Sequence, residues 1–135
     1  RRHSFPTRRS SDLRNGSMNL QALTQALMTF RDARDWSQFH TLRNLIVSLN
    51  LEAAELLELT QWKSDAEIAS LPEDEKRMEA LQDECADILL YLLLIAEKTN
   101  FDLLRAAELK LEKNAQKYPV NKCRGSSRKY TELDD

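Results

Sequence analysis

An all-α domain is what this sequence predicts, on three observations: strong breakers are scarce, apolar residues recur at helical spacing, and one long segment is apolar on every side. Glycine stands only at 16 and 125 and proline only at 6, 72 and 119, so residues 18–118 hold a single strong breaker. That composition points to helices joined by short loops. A chain of 135 residues has room for one domain with a core that needs no disulfide or structural metal.

The first helix is expected from about Asn19 to Ala33, where Leu20, Leu23, Leu27 and Phe30 form a narrow stripe behind a polar start. A second runs from about Thr41 to Trp62, with Leu42, Leu45, Ile46, Leu49, Ala53, Leu56 and Leu57 as a broader buried face. The third is expected to open at Ser70-Leu71-Pro72-Glu73, a capping-box spacing with proline in the first turn, and to reach about Lys98. Its second half, ILLYLLLIA at 88–96, must be enclosed by neighbours on several faces, more than one small subunit supplies, so oligomerisation is expected. A fourth helix follows Asn100 and Asp102, packs Leu104, Ala107, Leu111 and Ala115, and stops before Pro119. The expected organisation is a foreign or disordered leader over 1–17, with Met18 as the natural start, a helical domain over 18–119, and a basic polar tail over 120–135.

Several function classes are excluded by composition. Without the five arginines and one aspartate of the first seventeen residues, the rest carries 15 basic and 21 acidic residues. An acidic domain of that kind argues against a nucleic-acid polymer as partner. The glycines available cannot write a P-loop or a dinucleotide-binding loop. The longest apolar run is far short of the ~20 residues that span a bilayer, and no signal-peptide core precedes it. Cys85 and Cys123 form neither a disulfide framework nor a zinc knuckle, so a reducing, cytoplasmic setting is expected.

Chemistry is concentrated in two acidic pairs. Glu52 and Glu55 stand three apart on the second helix, Glu84 and Asp87 three apart on the third, so each pair projects from one side of its helix. Glu52 shares the register of Leu45, Leu49 and Leu56, and Asp87 directly precedes the apolar run. Acids on inward faces repel one another, and four together need a cation. Oxygen-only ligands select hard ions, Mg²⁺ or Mn²⁺, whereas zinc or iron would bring His or Cys. Phosphoryl chemistry is the natural use of such a site. The ordinary alternative stands beside it: either pair alone reads as a solvated surface pattern, and their placement beside apolar runs makes the two readings about equal.

Longer motifs decide more. Glu52-x-x-Glu55 followed by Glu84-x-x-Asp87 resembles the signature of MazG-like pyrophosphohydrolases, an all-α superfamily acting on nucleoside triphosphates. RDWSQFH (34–40), RNL (43–45), EAAELLELTQWKSD (52–65), DILLYLL (87–93), KYP (117–119) and SSRKYTEL (126–133) resemble its dCTP pyrophosphatase branch, over roughly residues 31 to 133. The resemblance implies a MazG-like four-helix bundle assembled as a dimer or a dimer of dimers. It implies Glu52, Glu55, Glu84 and Asp87 as Mg²⁺ ligands, with Glu55 the best choice for the acid that also orients or deprotonates water. It further implies that Trp36, Ser37, Gln38, Phe39, His40, Trp62 and Tyr91 line the nucleotide site. In one respect the chain departs from the vertebrate branch, which carries a histidine where Leu27 stands here. Lys122, Arg124, Arg128 and Lys129 collect positive charge in the tail, and Arg128 or Lys129 is expected to reach the β- and γ-phosphates.

The function expected is hydrolysis of a triphosphate such as dCTP to monophosphate and pyrophosphate, in nucleotide-pool housekeeping, by a homodimer or homotetramer with no membrane partner. Its rival is a non-catalytic interaction protein whose apolar third helix is only a dimer seam.

Overall fold

The structure, a computed structural model, describes residues 18–133; the expected leader over 1–17 lies outside the described residues. These residues form α1 (Leu20–Ala33), α2 (Leu42–Glu58), α3 (Asp65–Ala69), α4 (Glu75–Thr99), α5 (Leu103–Lys117) and α6 (Val120–Cys123), with 3₁₀ turns at Ser37–Phe39, Leu71–Glu73 and Tyr130–Glu132. No strand occurs among them, so the all-α expectation holds. Two compact units are distinguishable, the first ending at Asn100 and the second beginning at Phe101.

In the first unit the helices start where polar caps place them. Asn19 accepts from the Ala22 amide at 2.8 Å and Thr41 from the Asn44 amide at 3.1 Å, which satisfies amides that the helix itself leaves open. The third helix corrects the sequence reading. Its expected start at Ser70 is instead a 3₁₀ turn that ends where Asp74 turns extended, φ −102° and ψ 109°, and α4 begins one turn later behind Asp74, whose carboxylate accepts from the Arg77 amide at 3.1 Å. The capping box lies upstream, at Ser64 and Glu67, and opens α3, a helix the hydrophobic pattern was too short to reveal. Likewise α2 stops at Glu58 rather than near Trp62.

The core lies between α2 and α4, the most extensively packed pair, with α1 and the 3₁₀ turn at Leu71–Glu73 also against α4. Leu27, Leu45, Leu71, Tyr91, Leu93, Leu94 and Ala96 are buried. On α2 the enclosed stripe is narrow: Leu45, Leu49, Glu52 and Leu56, spaced four, three and four, while Leu42, Ile46 and Leu57 are exposed. The broad buried face expected there is therefore not filled within one chain. At the other side of α4, Arg31 of α1 donates to Glu97 at 3.0 Å and to its neighbour Asp32 at 2.8 Å. The Asp32 hydrogen bond, with Glu97 adding to it, raises the guanidinium pKa further against the desolvation that opposes it.

In the second unit Asp102 caps α5 through the Arg105 amide at 3.0 Å. Leu104 and Leu111, expected to be packed, are 53% and 70% exposed in the single chain. No helix among the described residues is long and apolar enough to cross a membrane.

The displaced helix start is measurable in urea denaturation. Asp74→Ala is expected to lower stability by about 1 kcal/mol through loss of a cap, and Ser70→Ala, whose hydroxyl donates only to the Glu67 carbonyl at 3.0 Å, by clearly less.

Candidate functional site

Glu52 occupies a core position of α2 and is 0% exposed. Three residues on, Glu55 projects from the same side and is half-buried, and Glu84 of α4, one turn beyond Leu81, is half-buried as well. Because α2 and α4 pack together, one carboxylate oxygen from each of Glu52, Glu55 and Glu84 lies within 4.8 Å of the others. Two full charges at that spacing repel by roughly 3–4 kcal/mol at an effective dielectric near 20. The donor set is all oxygen and one donor is wholly withdrawn from water, so the three acids fit a hard divalent cation. Asp87, half-buried one turn further along α4, stands outside this group of three.

Of the residues expected to line the nucleotide site, Trp36 to His40 and Trp62 occupy the connections flanking α2, and Tyr91 lies within α4. Trp36 is half-buried and meets Phe30 edge-on, ring centroids 5.6 Å apart at 77°. The Arg34 guanidinium lies 3.6 Å from the centre of the Phe30 ring and 6.0 Å from that of Trp36. Ser37 and Gln38 are exposed in the 3₁₀ turn, Phe39 is 51% exposed, and His40 is buried at 7%. The Gln38 amide nitrogen is engaged locally, donating to the Asp35 carbonyl at 3.0 Å and to its carboxylate at 3.2 Å. Tyr91 is 1% exposed and belongs to the core, one turn after Asp87. Trp62, after the end of α2, is 92% exposed and has a left-handed backbone, φ 63°. A left-handed backbone is uncommon for so bulky a residue.

Arg128 and Lys129 lie in the second unit, both exposed; the Arg128 Nε donates to the Ser126 hydroxyl at 3.3 Å and the Lys129 amide to Glu132 at 3.0 Å.

One feature escaped sequence reasoning. Leu56, Leu57, Ile68 and Leu71 line an apolar groove of about 420 Å³ beside the end of α2. It exists because α3 folds back there, and the signal that reveals it is the Ser64-x-x-Glu67 spacing.

The MazG-like family pattern matches residues 47–133. Among curated relatives, dCTP pyrophosphatase 1 of Rattus norvegicus is 48% identical over 104 residues, covering 77% of this chain and 61% of that protein. The Homo sapiens dCTP pyrophosphatase 1 is 44% identical over the same length, again 77% of this chain and 61% of the relative. The chain thus spans about three-fifths of the length of these relatives. A pyrophosphatase of Archaeoglobus fulgidus, known from its crystal structure, superposes with a TM-score of 0.69 at 37% identity, covering 79% of this chain and 98% of that one. The match includes all four acids and most of the chain, and on it the chain belongs to the MazG-like family.

Proposed function

We propose that this protein is a divalent-metal-dependent nucleoside triphosphate pyrophosphohydrolase, with dCTP as the substrate to try first and Mg²⁺, or Mn²⁺, as the ion. The observation that carries the reading is the group of Glu52, Glu55 and Glu84, a buried acid and two half-buried ones converging within 4.8 Å. The relatives named for dCTP pyrophosphatase activity support the substrate class.

In this reading Glu52, Glu55 and Glu84 hold the ion, with Asp87 as the fourth acid of the signature. When bound, the ion neutralises phosphate charge and polarises the phosphoryl oxygens. The protein's own groups do the rest. Glu55, partly open to solvent, orients a water molecule and accepts its proton as the water oxygen bonds to the α-phosphorus. The bond from that phosphorus to the β-phosphate oxygen breaks, releasing pyrophosphate and leaving the monophosphate. Trp36, Phe39 and Trp62 offer flat apolar surfaces for the base, each stack being worth ~1–3 kcal/mol. Ser37, His40 and Tyr91 complete the nucleotide surroundings, Gln38 belongs to them only through its bonds to Asp35 in the same turn, and Arg128 with Lys129 are assigned to the β- and γ-phosphates on the resemblance of SSRKYTEL. Exposed Leu42, Ile46, Val47 and Leu51 along α2 support assembly as a homodimer or a dimer of dimers.

Glu84→Ala is expected to reduce pyrophosphate release from dCTP below detection while the far-ultraviolet dichroism stays helical; without metal its urea midpoint should equal or exceed the parent's, since a repelling charge is gone. Full activity in this variant would remove the metal assignment. Titration calorimetry with Mg²⁺ and a non-hydrolysable dCTP analogue separates the enzyme from a mere dimer seam, which binds neither.

Trp36→Ala and Trp62→Ala should each raise KM roughly 5- to 150-fold, the equivalent of one lost stack, with smaller loss in kcat because the base is remote from the reacting phosphorus. Unchanged affinity in both variants returns the two tryptophans to structural roles. Truncation after Asn121 should weaken binding of the triphosphate much more than of the monophosphate, and the difference should shrink as salt rises. Equal binding of both by the truncated chain would end the phosphate assignment of Arg128 and Lys129.

A further inference from the structure

The segment between α1 and α2 is built as one device. At the end of α1 the Trp36 amide donates to the Arg31 carbonyl at 3.1 Å and the Asp35 amide to the Asp32 carbonyl at 3.1 Å. Those two bonds, six-to-one and five-to-two, are the Schellman pattern, and they place Asp35 at the position that must be left-handed. Asp35 has φ 53°. Glycine is the usual occupant, since other side chains there are strained; aspartate tolerates the conformation because its short polar group bonds locally. Here the local bond is visible: the Gln38 amide nitrogen donates to both the carbonyl and the carboxylate of Asp35, at 3.0 and 3.2 Å.

The apolar contact that accompanies such a cap joins the residue after the left-handed one to the helix turn before it. In this chain those residues are Trp36 and Phe30, the edge-on pair at 5.6 Å. Arg34 covers the Phe30 ring at 3.6 Å while its Nη1 donates to the Phe30 carbonyl at 2.8 Å, so Phe30 itself is held from two sides. The 3₁₀ turn then begins at once with Ser37, followed by buried His40 and the Thr41 cap of α2. The reversal at Asp35 therefore decides where Trp36 presents its ring.

We infer that Asp35, clamped by Gln38, is a positioning residue for substrate affinity: its left-handed backbone aims Trp36 at the nucleobase, and Gln38 acts on Asp35 rather than on the base. This rests on the reading of Trp36 as a base-stacking residue. It requires no charge on residue 35, only a side chain that accepts the conformation and the Gln38 bond.

The test compares Asp35→Val, Asp35→Asn and Gln38→Ala with Trp36→Ala, by steady-state dCTP hydrolysis. In a Trp62→Phe background the emission of Trp36 is also recorded without substrate. Valine opposes a left-handed backbone at a strain that corresponds to roughly 5- to 150-fold in an equilibrium, whereas asparagine accepts it. Asp35→Val is expected to raise KM toward the Trp36→Ala value and shift Trp36 emission to longer wavelength, with kcat little changed. Asp35→Asn should restore both readouts, and Gln38→Ala should move both in the direction of the valine variant. Equal impairment of the valine and asparagine variants would overturn the inference, since it would make the carboxylate charge the cause; so would a normal KM and emission in Asp35→Val when Trp36→Ala is impaired. Should Asp35→Val fail to fold, Gln38→Ala decides, because it leaves the left-handed residue in place and removes only the clamp: unshifted emission with normal KM overturns the proposal. If Trp36→Ala itself keeps a normal KM, the base-stacking reading falls and this role falls with it, a result distinct from failure at Asp35 alone.

Discussion

A carboxylate with no exposed surface, Glu52 in the seam between α2 and α4, is the constraint around which the first unit is arranged. Withdrawing an ionised acid from water costs several kcal/mol, comparable to what two or three buried leucines contribute at ~1.5–3 kcal/mol each. The narrow stripe of Leu45, Leu49 and Leu56 and the buried Tyr91, Leu93 and Leu94 of α4 hold the helices together in spite of it. Because that packing sets the two helices side by side, Glu55 and Glu84 are drawn toward the same point, and the repulsion grows. An all-oxygen group of this kind fits a hard divalent cation, whose charge would offset the repulsion.

The connections on both sides of α2 carry a residue with a left-handed backbone. Asp35 precedes the helix by one short turn and Trp62 follows it, each with a left-handed backbone, φ 53° and 63°. Neither lies within a regular helix, and each bears on an aromatic: Trp36, directed by the reversal before it, and Trp62, itself the residue in the unusual conformation. The packed helices thus carry the acids, while the turns flanking α2 carry the flat apolar surfaces. That division suits a substrate with a highly charged phosphate chain at one end and a π surface at the other.

The single chain leaves much apolar surface in water. Ile46, Val47, Leu51 and Leu57 on α2, with Leu104 and Leu111 on α5, are exposed to between 43% and 70%. Scattered apolar exposure is ordinary, but a set at helical spacing along the helix that carries Glu52 and Glu55 is a second face with the composition of a core. It belongs to the helix whose first face is already committed to α4, so one stretch of seventeen residues is under two packing demands at once.

The helical class, the four long helices and the acid pairs were legible in the sequence, because apolar spacing and scarce breakers act locally and leave a period that can be counted. That Glu52 shares a side with Glu55, and Glu84 with Asp87, was legible for the same reason, since three-residue spacing fixes a shared side of one helix; their reading as one ligand set rests on the resemblance to the MazG-like signature. What only the tertiary structure decided is which of those sides meet: that Glu52 is wholly buried, that three of the acids converge, and that Leu42, Ile46 and Leu57 are left outside a stripe expected to include them. The start of α4 at Glu75 and the existence of α3 were also decided there, because a five-residue helix has no period to read and Pro72 serves a 3₁₀ turn as well as a first helical turn. The left-handed turn at Asp35 was hidden because aspartate is also at home in ordinary caps and turns, and only the bonds from Trp36, Asp35 and Gln38 distinguish the case. Local sequence sets the faces each helix has to offer; the energy that chooses among them comes from residues far apart in the chain, and it exists only once they touch.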